Sequence, residues 1–314
     1  MKPATAPSFA FTNANPSPSP SAKSAPEIWL EPRWRLAQAR HTARLHQAIG
    51  DYLQARQQGQ TNPVLDFLFT YYRFPPSRLA QWHPGTGRIL AGPGAETFLH
   101  HPSYRRTPQG IILPPDSLPL TRRPGLQRTL HLLQTTAQRP AHFACFGLHE
   151  WAMVYRTDHL RHPSLPLRLN PRQLADFIES RPLTCTHFDA YRFFSPAAQP
   201  RNAWTLQRDD QLTLEQGGCL HANMDLYKWA HKFSPWIGSD LILDCFLLAL
   251  DARILDMRAS PYDLRPLGYT PIPIETAQGR AEYEAAQRAL AARASPLRHR
   301  LILAFTTLTE SAPP

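Results

Sequence analysis

Histidines and carboxylates recur at helical spacing inside the most apolar parts of this chain, and side chains of these types bind divalent metals or move protons. In AHFACFGLHEWAMVYR, His142, His149 and Arg156 follow one another every seven residues. On a helix of about 3.6 residues per turn they fall near one face. GGCLHANMDLYKWAHK carries His221, Asp225, Lys228 and Lys232 in the same way, and SDLILDCFLLALDARILDMRASPYD carries Asp240, Asp244, Asp251 and Arg258. Leaving a charge unpaired in an apolar interior costs several kcal/mol. If these helices pack together, the three stripes are expected to face one another or to share a wet cleft, which would be the functional site. The plainer alternatives are a solvated face on each amphipathic helix or a structural network of ion pairs.

Two chemistries fit these residues. His221 and Asp225, four apart on one helix face, can chelate a divalent metal, and so can a His-x-Asp pair on a strand such as His187 and Asp189. The metal-binding alternative therefore draws on His149, Glu150, His187, Asp189, His221 and Asp225. A carboxylate in an apolar pocket lined by aromatics can instead act as a general base, because desolvation raises its pKa toward neutrality. Glu150 stands between His149 and Trp151 with Tyr155 a turn further on, and Asp189 lies between Phe188 and Tyr191. An enzyme that excises a base from DNA needs a basic surface for phosphates, aromatics to stack an extruded base, and a carboxylate to orient water or stabilise the sugar cation. All three are present. GxxxxGK[ST], GxGxxG and GxSxG are absent, which removes the P-loop, the dinucleotide fold and the serine-hydrolase elbow. ExxH pairs, the mark of di-iron bundles, are also missing from these helices.

The elements that would position these residues are mostly helices. Ala, Arg, Gln and Leu between Trp29 and Arg56 predict one, and Asn62-Pro63 starts another through VLDFLFTYY with Pro in its first turn. SRLAQW is a short helix stopped by HPGTG. Residues 84–124, rich in Pro and Gly, read as loops with two short strands at RIL and GIIL. A helix resumes from Leu126, and the first striped helix follows Pro140. The stretch LPLRLNPRQLADFIESRPLTCTHFDAYRFF predicts strand, short helix, strand, with His187, Asp189 and Tyr191 on one face of the second strand. Three long helices, near 208–232, 239–257 and 278–293, complete a mainly α, single multi-helix domain over residues 27–305, with a small β insertion near the middle. Residues 1–26, low in hydrophobes and rich in Pro and Ser, predict a disordered tail, and 306–314 a flexible C-terminal one.

The chain has 314 residues, 42% of them hydrophobic, 18% charged, and a net charge of +10. That balance favours polyanionic partners such as nucleic acid. Nearly all of the cations are Arg, with Lys only at positions 2, 23, 228 and 232, and no basic run exceeds a pair. Cys145, Cys185, Cys219 and Cys245 are widely spaced in apolar surroundings and read as buried free thiols. No secretory signal or membrane span is apparent, since Asp244 and Asp251 interrupt and follow the most apolar run. A cytoplasmic location is expected.

Several long segments resemble a known family. FLFTYYRFPPSRLAQWHPG, CFGLHEWAMVYR, THFDAYRFFSPAA, GCLHANMDLYKWAHK, LDMRASPYDL and IETAQGRAEYEAAQ are similar to blocks of bacterial, largely actinobacterial, proteins labelled 3-methyladenine DNA glycosylase. The similarity covers residues 28–300. It implies a DNA repair enzyme that hydrolyses the N-glycosidic bond of an alkylated purine in a DNA duplex, and it supplies no catalytic residues to carry over. The helix-hairpin-helix turn of familiar glycosylases is absent. With that activity, Glu150 or Asp189 is the expected catalytic carboxylate. His149, Trp151, Tyr155, His187, Tyr191, His221, Asp225, Tyr227, Lys228, Asp244 and Arg258 are the expected substrate-binding residues, and no cofactor is called for. The alternative is a metal-dependent enzyme with a His, Asp and Glu site inside a helical bundle. A third reading is a nucleic-acid-binding or scaffold protein whose stripes are structural.

Overall fold

A computed structural model describes residues 25–311. The expected tail over 1–26 lies, apart from Ala25 and Pro26, outside these residues, as do 312–314. The chain runs through β1 (Glu27–Trp29), α1 (Glu31–Gln57), α2 (Pro63–Thr70), α3 (Pro76–Ala80), β2 (Arg88–Leu90), β3 (Arg105–Thr107), β4 (Gly110–Ile112) and α4 (Arg123–Gln138). It continues through α5 (Leu148–Met153), α6 (Pro171–Glu179), α7 (Phe188–Tyr191), α8 (Gln211–Leu214), α9 (Leu220–Lys232), α10 (Ser239–Arg258) and α11 (Ala277–Glu310). The domain is mainly helical with one small sheet, as the pattern predicts.

Helix α10 is the axis of the core. Leu, Ile, Phe and Ala fill most of its girth, with Asp240, Asp244, Asp251 and Arg258 left half-buried along one stripe, and so apolar a helix is buried; it packs against α9, α11, α2 and α1. Helix α2 starts where predicted, because the Asn62 side chain accepts from the N–H groups of Val64 and Leu65. The sheet has the order β1-β2-β4-β3, with β1 parallel to β2 and the other pairs antiparallel. Its strands include the RIL and GIIL runs. Among the described residues no helix is long and apolar enough to cross a membrane.

Five expected elements take a different form. The striped helix after Pro140 shrinks to the six residues of α5, because Phe146 and Gly147 take φ of +47° and +74°, a left-handed geometry that interrupts a right-handed helix. The helix expected over 208–232 breaks between α8 and α9. There the Gln216 side chain accepts from the N–H groups of His142 and Gly218 and donates to the His142 carbonyl. A Cβ at Gly218 would come within 2.5 Å of that carbonyl. The strands expected on either side of α6 form only isolated bridges, Leu167 with Tyr262 and Leu183 with Asn202. The Asn202 side chain satisfies both backbone groups of Cys185, so no neighbouring strand is needed, and the chain turns into α7. Finally, α11 runs through Pro296 to Glu310 with Leu308 buried, so 306–310 are helix, not a flexible tail.

Candidate functional site

Three side chains from three helices meet at the end of α10. His221 sits in the first turn of α9, His149 on α5 and Asp256 in the last turns of α10. His149 Nε2 is 2.8 Å from Asp256 Oδ1, and His221 Nε2 is 3.9 Å from Asp256 Oδ2. The two imidazoles are edge to face with ring centres 4.3 Å apart. One ligand atom from each of the three residues lies within 4.8 Å of the other two. His149 Nε2 and Asp256 Oδ1 are buried, yet neither takes part in a well-directed hydrogen bond. They lie 2.8 Å apart as an ion pair, and among the described residues no other group hydrogen-bonds to either atom.

The surroundings hold this trio in place. The buried guanidinium of Arg253 donates to Glu150 at 2.8 Å and to Asp256 at 3.1 Å, beneath the Phe67 ring at 4.0 Å. Cys145 Sγ lies 3.8 Å from His149 Nδ1. Burial opposes charge on His149, but the Asp256 carboxylate outweighs it and holds the ring well above its ordinary pKa. Asp256 is likewise held below the usual carboxylate range, because His149, His221 and Arg253 override its burial. Burial and the neighbouring His149 charge push His221 down. Without a metal, the pair is an imidazolium facing a carboxylate, with a neutral His221 beside it.

His149 and His221 open on a cavity of about 290 Å³, also lined by His142, Cys145, Thr184, Cys185, Trp204, Cys219, Tyr283 and Gln287. Gln287 Oε1 and Thr184 Oγ1 are buried there without partners.

A second polar cluster lies on the next turns of α9. Lys228 reaches Asp225, and its Nζ is 3.3 Å from Asp189. Tyr72 donates to Asp225 at 3.0 Å. His187 Nε2 stands 3.3 Å from Asp225 and 3.6 Å from Glu215. Burial drives His187 down to about 4 and Glu215 up to about 8. For Lys228, burial is outweighed by Asp225 and Asp189, which raise its pKa. The lysine holds the place of a cation here.

The expected site residues thus part company. His149 and His221 meet; His187, Asp225, Lys228 and Asp189 form the adjoining cluster. Glu150 pairs with Arg253 and does not line this cavity, and Asp189 is tied to Lys228 and to Arg192 at 3.2 Å; both border a separate small recess together with His221 and Arg253. In place of one strand face, His187 is buried, while Asp189 stands on α7 beside α9. The expected aromatic clamp is core: Trp151 donates to the Ala259 carbonyl at 2.8 Å, and Tyr227 is enclosed by Tyr72, Phe74 and Phe246. Tyr191 packs on Phe194, and Tyr155 donates to Glu179. His142 lines the cavity, but Arg156 bonds Glu179 at the surface. The α10 stripe faces elsewhere: Asp244 pairs with Arg44 and Arg300 at 2.7 Å, Asp251 with Arg293 at 2.6 Å, and Arg258 donates to the Thr270 carbonyl. Asp240 borders a surface groove with Arg44. Asp244 therefore does not share a cavity with His221 and Asp225. The spacing of four and then seven residues from Asp240 selected the face of α10 that meets Arg side chains of α1 and α11. Arg253 and Asp256, three apart on another face, were the missed signal, as was Glu215.

No protein-family model, curated protein or solved structure matches the chain.

Proposed function

We propose that the protein is a metal-dependent enzyme in which His149, His221 and Asp256 hold a divalent cation and the adjoining cavity holds a small substrate. The observation that carries this reading is the convergence of three ligand atoms within 4.8 Å, two of them buried without a directed hydrogen bond. Two imidazoles and one carboxylate on one side leave coordination positions open, as catalytic sites require. A divalent ion in this position supplies a Lewis acid and a bound water of lowered pKa. His149 gives up its proton on binding, so loading strengthens as pH rises. Arg253 fixes the Asp256 carboxylate through its other oxygen, and Cys145 sits where it orients the His149 ring. Gln287 and Thr184 are among the polar residues lining the cavity that would receive the substrate.

The net charge of +10 and the resemblance of the quoted segments support a second reading, hydrolysis of a damaged base from duplex DNA. Its expected carboxylates, however, are committed to Arg253, Lys228 and Arg192. Elemental analysis of protein purified without chelator, beside a base-release assay on alkylated duplex, separates the two. The metal reading expects about one equivalent of a transition metal, lost in His221→Ala and Asp256→Asn. Metal-free protein that takes up neither Zn²⁺, Mn²⁺ nor Fe²⁺ would sink it, and base release by that protein would put the second reading in its place.

A further inference from the structure

A groove of about 480 Å³ runs along α11 between the end of α4 and residues 139–143. One face of α11 forms its floor. Ala291, Ala292 and Ser295 leave open space there, and Arg288, Arg298 and His299 stand around it, with Arg139 on the facing wall. No Asp or Glu lines it among the described residues. Arg139 is spent on backbone carbonyls of Leu212 and Glu215, and Arg288 pairs with Glu284 on its outer side.

Arg298 is different. It is 3% exposed, it donates to the Asn223 amide oxygen, and its buried Nε has no hydrogen-bond partner. Among the described residues no carboxylate is in ion-pair contact with it. Guanidinium keeps its charge under almost any conditions, and a buried charge with no counter-ion is costly. Glu215, whose charge would compensate it most, holds its proton up to about pH 8. The groove is therefore lined by a guanidinium of fixed positive charge, a planar fork suited to an oxyanion.

We propose that this groove binds the phosphate group of a small ligand, with Arg298 as the buried anchor and Arg288 and His299 at the mouth. The site is separate from the His149, His221 and Asp256 trio, and its test does not depend on the metal.

Calorimetric titration of the full chain with inorganic phosphate, pyrophosphate and phenyl phosphate, against chloride at matched ionic strength, tests the proposal. Saturable binding is expected with at least one of the three, unchanged after chelator treatment. Arg298→Met should weaken it tenfold or more while leaving the melting temperature without ligand equal or higher, because it removes an uncompensated buried charge; a merely structural arginine would lower it. If Arg298→Met does not fold, Arg288→Gln and His299→Gln serve in its place, each expected to weaken binding several-fold. Phenyl phosphate bound at least as tightly as phosphate points to an ester as the ligand, and phosphate bound more tightly points to the free ion. The proposal is overturned by no saturable binding of any probe, by binding indifferent to these substitutions, by binding lost with the metal, or by retention of duplex DNA alone.

Discussion

Replacing Glu215 with Gln should make the protein more stable, and increasingly so as pH rises. The carboxyl is 2% exposed, and Gln211 donates to it at 3.0 Å. Burial, followed by the charge of Asp225, lifts it from the ordinary 4.5 to about 8. Below pH 4.5 the group is protonated whether the chain is folded or not, so it contributes no pH dependence. Between 4.5 and about 8 the unfolded chain loses this proton and the folded chain keeps it, so stability falls as pH rises; above 8 the loss is complete. At about 1.4 kcal/mol per pH unit, the interval from 4.5 to about 8 amounts to about 5 kcal/mol, of which about 3 has accrued by pH 7. The amide of Gln has the same shape, cannot ionise, and still offers an oxygen to Gln211. Guanidinium unfolding of both proteins at pH 5, 7 and 9 gives the difference directly, with other titrating groups cancelling. A difference that stays flat from pH 5 to 9, or that grows in favour of the wild type, would refute the argument.

Two substitutions probe how the trio is held. Glu150→Gln leaves the buried Arg253 with Asp256 as its one remaining anionic partner, and should cost about 3–5 kcal/mol in denaturant unfolding; a change below 1 kcal/mol would show that the pair is not desolvated. Gly147→Ala puts a Cβ at φ +74°, 3.4 Å from Ala259 and Tyr283, and should lower stability by about 1–2 kcal/mol, with an unchanged melting curve as the contrary result.

The helices that position the site were legible because their cues are local. Asn62-Pro63 and Asn170 with Gln173 announce α2 and α6 through capping chemistry that needs no tertiary contact, and the capping box at α6 is formed as written. The brief apolar runs RIL and GIIL likewise mark β2 and β4. What periodicity missed was decided by distant partners. The spacing of His142, His149 and Arg156 fits a helix perfectly well, and nothing inside that segment reveals that Phe146 and Gly147 turn left-handed. The same holds for LTCTHF, whose extended look dissolves because Asn202, seventeen residues after Cys185, satisfies its backbone. Of the metal-type residues, His149 and His221 were visible and their carboxylate was not. Asp256 lies off the Asp244 and Asp251 stripe of α10, and only the position of α5 against that other face marks it out.

Helix α11 has 34 residues, about 50 Å at 1.5 Å per residue, and it borders both recesses of the molecule. Tyr283 and Gln287 close the interior cavity from its first half, and Arg288 through Ile302 floor the cationic groove from the next turns. The stretch from Tyr283 to Ser295, on the N-terminal side of Pro296, contributes to both recesses. Occupants of the two recesses therefore share a wall. If α11 has two settings that the occupants distinguish, each ligand's affinity depends on the other by the same factor, in either direction. Cooperativity between the sites would then come from a single helix, with no subunit interface involved.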